Sequence, residues 1–223
     1  MLQFHTSPPL VIFDFDGTLG DTRQNIVRTL QATMQRLGLD MRDDEACAST
    51  IGLTLFDSFR AMYPAMSVDE AHHCVATYRD IYFEDVAANI PALFPNVEST
   101  IETLHSSGAV LAVASSRSSP SLHLFLQESG VADYFSCVIG SDNVTHHKPH
   151  PEPVEMILRR LNFSPSRALV VGDMPVDILM AHNAGVRACG VSYGNATREE
   201  LHTAGADHII DNIAELLDYV VAL

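Results

Sequence analysis

The stretch VIFDFDGTLGDT, Val11 to Thr22, decides how the chain is read. Four β-favouring residues, Leu10 to Phe13, run straight into Asp14. A second acid follows at Asp16, then Gly17-Thr18, and only then a polar, helix-like segment begins. A buried strand that ends in two carboxylates is costly, because the charges repel each other and each loses water. The pattern calls for a cation and for a fold that brings strand ends together.

Apolar, β-branched runs recur at Leu10–Phe13, Ala109–Ala114, Cys137–Ile139, Ala168–Val171, Ala188–Val191 and His208–Ile210. Such runs fit strands buried on both faces, as in a parallel sheet. Helical segments lie between most of them. Ser119-Pro120 reads as an N-cap followed by proline at the first helical position, with the helix stopping near Gly130. Val176–Ala184 is another, closed by Gly185. The alternation predicts an α/β fold, a Rossmann-like doubly wound parallel sheet.

One interval breaks the alternation. From Asp21 to Ala88 there is helical periodicity and no strand: Ile26, Leu30, Met34 and Leu37 share a face, a second helix covers Leu55–Met62, and a third runs from Val68 towards Phe83. The expected organisation is an α/β core of residues 1–20 and 89–223 with an inserted α-helical domain at 21–88. The segment NIPALFP, with prolines at 91 and 95, reads as the return hinge.

Composition narrows the function. The chain has 223 residues, 47% hydrophobic and 18% charged, an ordinary globular balance. Its formal net charge of −15 argues against a nucleic-acid partner and against an anionic membrane surface. Four cysteines, at 47, 74, 137 and 189, form no close pair and read as free thiols. No Lys or Arg precedes Arg23, and the N-terminal apolar run is short, so no signal peptide or span is expected and a cytoplasmic location is.

Ligands in open parallel sheets bind beyond the carboxyl ends of the strands. Those ends carry Asp14 and Asp16; Ser115, Ser116 and Arg117; and Gly172-Asp173, with Asp177 starting the next helix. Lys148 stands between them in HHKPHPEP. Mg²⁺ is the economical neutraliser of such acids, being a hard cation that takes oxygen ligands and often keeps water and a substrate phosphate. Asp14 and Asp173 are candidate metal ligands, with Asp16 contributing through a backbone carbonyl near it. His146, His147 and His150 have no closed-zinc spacing and read as surface-loop histidines.

Taken in order, DFDGT, a serine ending the next strand, KPHPEP and VGDMPVD resemble the four signatures of the haloacid dehalogenase-like hydrolases. DGTLGDT, IGLTLFDSF and KPHPEP are most similar to the phosphoglycolate phosphatase branch. The resemblance spans the chain, and the helical insertion resembles that family's cap domain. It implies a Mg²⁺-dependent phosphatase acting on a small phosphorylated metabolite through an aspartyl-phosphate. In that scheme Asp14 is the nucleophile and Asp16 the proton donor and acceptor. Lys148 offsets charge, and Ser115, Ser116, Thr18 and Lys148 bind the phosphoryl group. Asp177 orients metal-bound water or Lys148 from outside the ligand set. Ser116-Arg117 departs from the Asn-Lys usual in that branch.

The acid at Asp16 separates phosphoryl transfer from dehalogenation, because a halide leaving group needs no proton. Thr18 leans towards hydrolysis and away from a β-phosphoglucomutase-like phosphosugar mutase, which usually carries a hydrophobic residue there. Pyrophosphate is a further candidate substrate, and a catalytically silent metal-binding regulator is the alternative of another class. Arg60, Tyr63, Arg79 and Tyr82 are candidate cap contacts, and the chain is expected to be a monomer or a homodimer.

Overall fold

The computed structural model describes residue 2 and residues 8–85 and 90–221. The chain divides into two compact units, one formed by Met1–Asp21 with Ala92–Leu223 and the other by Thr22–Pro91. The first strand, β1 (Leu10–Phe13), belongs to the former, and the chain then enters the latter.

Among the described residues the second unit holds four helices: α1 (Arg23–Leu37), α2 (Asp44–Ala48), α3 (Leu55–Met62) and α4 (Val68–Asp85). The buried stripe of α1 is Val27, Leu30, Thr33 and Met34. It is rotated by about a residue from the expected face, so that Ile26 and Leu37 flank it half-buried. Gly38 closes α1 in the left-handed conformation, at φ 66°, which a residue with a Cβ adopts only at a cost. Asp43 and Thr54 cap α2 and α3 by accepting from the backbone N–H groups of Ala46 and Asp57. Tyr82 is buried and stacks on Tyr78, and Arg42 lies over the ring of Tyr63. Arg60 is half-buried and Arg79 exposed. Of the expected hinge, Asn89 lies outside the described residues.

The first unit is built on the predicted parallel sheet. After α5 (Val97–Ser106) come β2 (Val110–Ala114), α6 (Ser119–Glu128), β3 (Phe135–Ile139), α7 (Glu152–Leu161), β4 (Ala168–Gly172), α8 (Pro175–Asn183), β5 (Arg187–Val191), α9 (Arg198–Thr203), β6 (His208–Ile210) and α10 (Leu216–Val221). The six strands lie in the order β3-β2-β1-β4-β5-β6, and every adjacent pair is parallel. β1 and β4 are wholly buried, which is why their sequences are unbroken apolar runs. β3 begins two residues earlier than its apolar run suggests, because exposed Ser136 hides the strand start. Ser118, not Ser119, is the residue before the first turn of α6.

The strand order places the site. From β1 the chain builds outward to β2 and β3, then returns to the other side of β1 to lay down β4, β5 and β6. The order reverses at β1, and the crevice for a ligand opens at such a reversal, beyond the strand ends. The β1–β4 register pairs Phe13 with Val171, and the N–H of Asp14 donates to the carbonyl of Val171 at 2.9 Å. Asp14 and Asp173 therefore leave the sheet side by side. Among the described residues, no helix is long and apolar enough to cross a membrane.

Candidate active site

Beyond the ends of β1 and β4, oxygens of Asp14, Asp173 and Asp177 lie within 4.8 Å of one another, and all three residues are buried. Lys148 reaches this cluster from the loop before α7. Its Nζ donates to Asp14 Oδ1 at 2.7 Å and to Asp177 Oδ1 at 2.6 Å. Asp177 takes this position because it is the third residue of α8, where its other oxygen accepts from the N–H of Met174 at 3.1 Å. Gly172 makes the approach feasible: a Cβ there would stand 2.3 Å from the Cβ of Asp177.

Three buried acids cluster around one ammonium, which bonds only Asp14 and Asp177, and the charges do not balance. The pKa of Asp14 is raised to about 7, chiefly by burial, with Lys148 pulling it down and the charges of Asp177 and Asp16 pushing it up. Burial likewise holds Asp173 well above the ordinary carboxylate range, helped by Asp14 and Asp177 and opposed by Asn195. Burial disfavours the charged form of Lys148, but Asp14 and Asp177 outweigh it and the net shift is upward. The lysine stays charged, and the surplus negative charge rests on the acids. An all-oxygen donor set with excess negative charge fits a hard divalent cation such as Mg²⁺.

Asp173 is held from two further sides. Its Oδ2 accepts from both the backbone N–H and the Nδ2 of Asn195, each at 2.8 Å, and its Oδ1 from the hydroxyl of Thr18 at 3.3 Å. In this arrangement the Thr18 hydroxyl supports the carboxylate, while its carbonyl accepts from the phenol of Tyr193 at 2.9 Å. The turn after β1 depends on Gly17, which sits at φ 85°; a Cβ there would stand 2.1 Å from Asp173 Oδ2.

The carboxylate of Asp16 points to a different partner. Arg117 donates to it from Nε, at 3.2 and 3.0 Å to the two oxygens, and from Nη2 at 2.6 Å to Oδ1. The guanidinium is fixed in turn by Ser121 Oγ at 3.1 Å and by the ring of Phe125, 4.8 Å from its carbon to the centroid. Ser115 is buried at the end of β2, next to β1, where its Oγ accepts from the N–H of Arg117 at 3.2 Å. Ser116 is half-buried beside it.

Asp14, Asp16, Thr18, Ser115, Ser116, Lys148, Asp173 and Asp177 thus fall at one end of the sheet, on loops that leave β1, β2 and β4 or lead into α7 and on the first turn of α8. Arg117 and Asn195 carry contacts that motif reading did not assign to them. Arg117 had a signal, since it departs from the branch pattern; Asn195 had a weaker one, its place just beyond the carboxyl end of β5.

With an open α/β sheet and this acid cluster in place, comparison with known proteins is informative. The model of the haloacid dehalogenase-like hydrolase family matches residues 11–191. The chain is 34% identical to a phosphoglycolate phosphatase of Salmonella typhi, covering 93% of this chain and 90% of that one. It is 31% identical to pyrophosphatase PpaX of Oceanobacillus iheyensis, covering 94% and 95%. A haloacid dehalogenase-like hydrolase from Bacteroides fragilis superposes with a TM-score of 0.89 at 31% identity, over 94% of this chain and 100% of that one. The chain belongs to the haloacid dehalogenase-like hydrolases and is a phosphatase of that family.

Proposed function

We propose that this phosphatase hydrolyses a small phosphomonoester of the phosphoglycolate type, with Asp14 forming an aspartyl-phosphate. The observation that carries the reading is the ion pair of Asp14 with Lys148 inside a buried acid cluster at the sheet's reversal point. Lys148 takes Asp14 Oδ1, so Oδ2 is the oxygen assigned to attack phosphorus. A covalent intermediate splits one hard displacement into two easier ones. Asp16 gives a proton to the departing alcohol oxygen and takes one from the water that cleaves the acyl phosphate, while Arg117 holds its carboxylate in plane.

The barrier is largely electrostatic. Two unit charges about 4 Å apart interact by roughly 4 kcal/mol at an effective dielectric of 20, so a carboxylate meeting a phosphate dianion needs nearby positive charge. Lys148 supplies part of it. Asp14 and Asp173, with the backbone near Asp16, would hold Mg²⁺, and the ion when bound adds charge neutralisation at the phosphoryl oxygens. Ser115 and Ser116 are assigned to those same oxygens, and Asp177 keeps Lys148 aimed at Asp14.

Pyrophosphate is the second reading, favoured by the similarity to a protein named pyrophosphatase. The test is phosphate release from 2-phosphoglycolate and from pyrophosphate, with Mg²⁺ and with EDTA, for the native chain and Asp14→Asn. Mg²⁺-dependent release that vanishes in Asp14→Asn, with unchanged circular dichroism, is expected. Undiminished release by a clean preparation of the variant overturns the nucleophile.

A further inference from the structure

The loop that delivers Lys148 carries a second donor cluster that the phosphatase reading leaves unused. His146, His150 and Glu152 each place one donor atom within 4.8 Å of the other two. We infer that these three residues form a binding site for a divalent transition-metal cation of the Zn²⁺ type, separate from the buried acids.

The geometry is prepared by the start of α7. Glu152 Oε1 accepts from the N–H of Thr145 at 3.0 Å, and Oε2 from the N–H of His146 at 2.8 Å. The carboxylate therefore ties down the chain on the N-terminal side of Lys148. On the other side, the N–H of Glu152 donates to His150 Nδ1 at 3.2 Å, and the two imidazoles stack with centroids 4.4 Å apart and planes at 25°. Pro149 and Pro151 restrict the backbone between these points. His146 Nδ1 and Glu152 Oε2 are 2.8 Å apart and share a proton. A cation that replaces this proton meets an imidazole and a carboxylate already side by side. Zn²⁺ bonds of about 2.0–2.2 Å put adjacent ligands about 3.4 Å apart, so closure requires mainly a rotation of the exposed His150 ring. The proton displaced from His146 leaves to solvent.

Donor chemistry separates the two sites. Imidazole nitrogen suits Zn²⁺ and its transition-metal neighbours, whereas Mg²⁺ prefers the all-oxygen set of Asp14 and Asp173. The cluster borders a shallow groove of about 470 Å³ lined by His146, His147, Pro149, His150, Pro151 and Asn183. His147, whose buried Nδ1 has no hydrogen-bond partner among the described residues, lines the same groove but stands outside the three-residue cluster. Because the donors already converge while Lys148 is bonded to Asp14, an ion here clamps the loop in that arrangement. The expected consequence is stabilisation of the loop, with no group added to the reaction.

The experiment is Zn²⁺ titration against a chromophoric chelator in a large excess of Mg²⁺, with a parallel thermal melt. It compares the full chain with His146→Gln/His150→Gln and with Asp173→Asn. One equivalent of Zn²⁺ and a Zn²⁺-dependent rise in melting temperature are expected for the native chain and for Asp173→Asn. Both should be lost in the double histidine variant, with its far-UV circular dichroism unchanged. Glu152→Gln, which removes a direct ligand, should weaken the affinity by more than the roughly 10–100-fold that losing a ligand-orienting group costs. Equal Zn²⁺ uptake by the native and double histidine chains, no uptake by either, or loss of uptake only in Asp173→Asn would each overturn the proposal.

Discussion

Replacing Lys148 by methionine isolates the charge imbalance on which the active site rests. The change keeps most of the side-chain volume and removes the ammonium that pairs with Asp14 and Asp177. The three side chains are 4%, 6% and 2% exposed respectively, so water cannot take over its role. Stripping one partner from a buried ion pair costs about 3–5 kcal/mol when the remaining charge must stay. Here it can be relieved by protonation, and the cost therefore depends on pH. Asp14 titrates near 7 in the folded protein against a usual 3.8, so the folded state binds more protons than the unfolded one between those values. Stability in EDTA accordingly falls as pH rises through that window, even in the native chain. Without Lys148 the acids hold protons to higher pH still, and the window widens upward. The native chain already keeps the Asp14 proton to about pH 7, so one extra proton retained from pH 7 to pH 8 corresponds to about 1.4 kcal/mol. For a chain of this size that is a further drop in melting temperature of roughly 3–6 °C. Thermal melts in EDTA at pH 5 and pH 8 should show a small penalty for Lys148→Met at the lower pH and a larger one at the higher. An equal penalty at both values, or a smaller one at pH 8, refutes the shared-charge account.

Three other substitutions probe separate parts of the site. Arg117→Lys keeps the charge but loses the planar fork on Asp16, and kcat should fall on the order of 10²-fold with little change in melting temperature; activity within twofold of native would remove Arg117 from the positioning of Asp16. Asn195→Ala removes one of two amide donors to Asp173 and should raise the Mg²⁺ concentration for half-maximal activity by about 10–100-fold, read from an Mg²⁺ titration. Gly17→Ala forces a Cβ into a turn at φ 85° and against Asp173, so about 1–3 kcal/mol of stability and most of the Mg²⁺-dependent activity should go together, by denaturant melt and phosphate release.

Legibility in the sequence followed burial. β1 and β4, covered on both faces, show as unbroken apolar runs, and their ends could be placed to within a residue. The edge strand β3 mixes exposed and buried residues, so its apolar run understated it. In α1 the spacing announced a helix, but both Ile26 and Val27 are apolar, and only packing selects Val27 for the buried stripe. The short helices α2, α9 and α10, with five or six residues each, are too brief to leave a periodic signal.

By itself, the sequence determined an alternating α/β chain with acids, hydroxyls and a lysine at strand ends, because strand periodicity and local turn chemistry act over a few residues. Tertiary structure decided which of those groups touch. Lys148 meets Asp14 across 134 positions and Arg117 meets Asp16 across 101, while Asn195 reaches Asp173 across 22. Those pairings follow from the strand order and from the β1–β4 register, which are settled only when the whole sheet packs. A motif can say that an acid needs a cation; the fold alone sends Lys148 to Asp14 and Arg117 to Asp16.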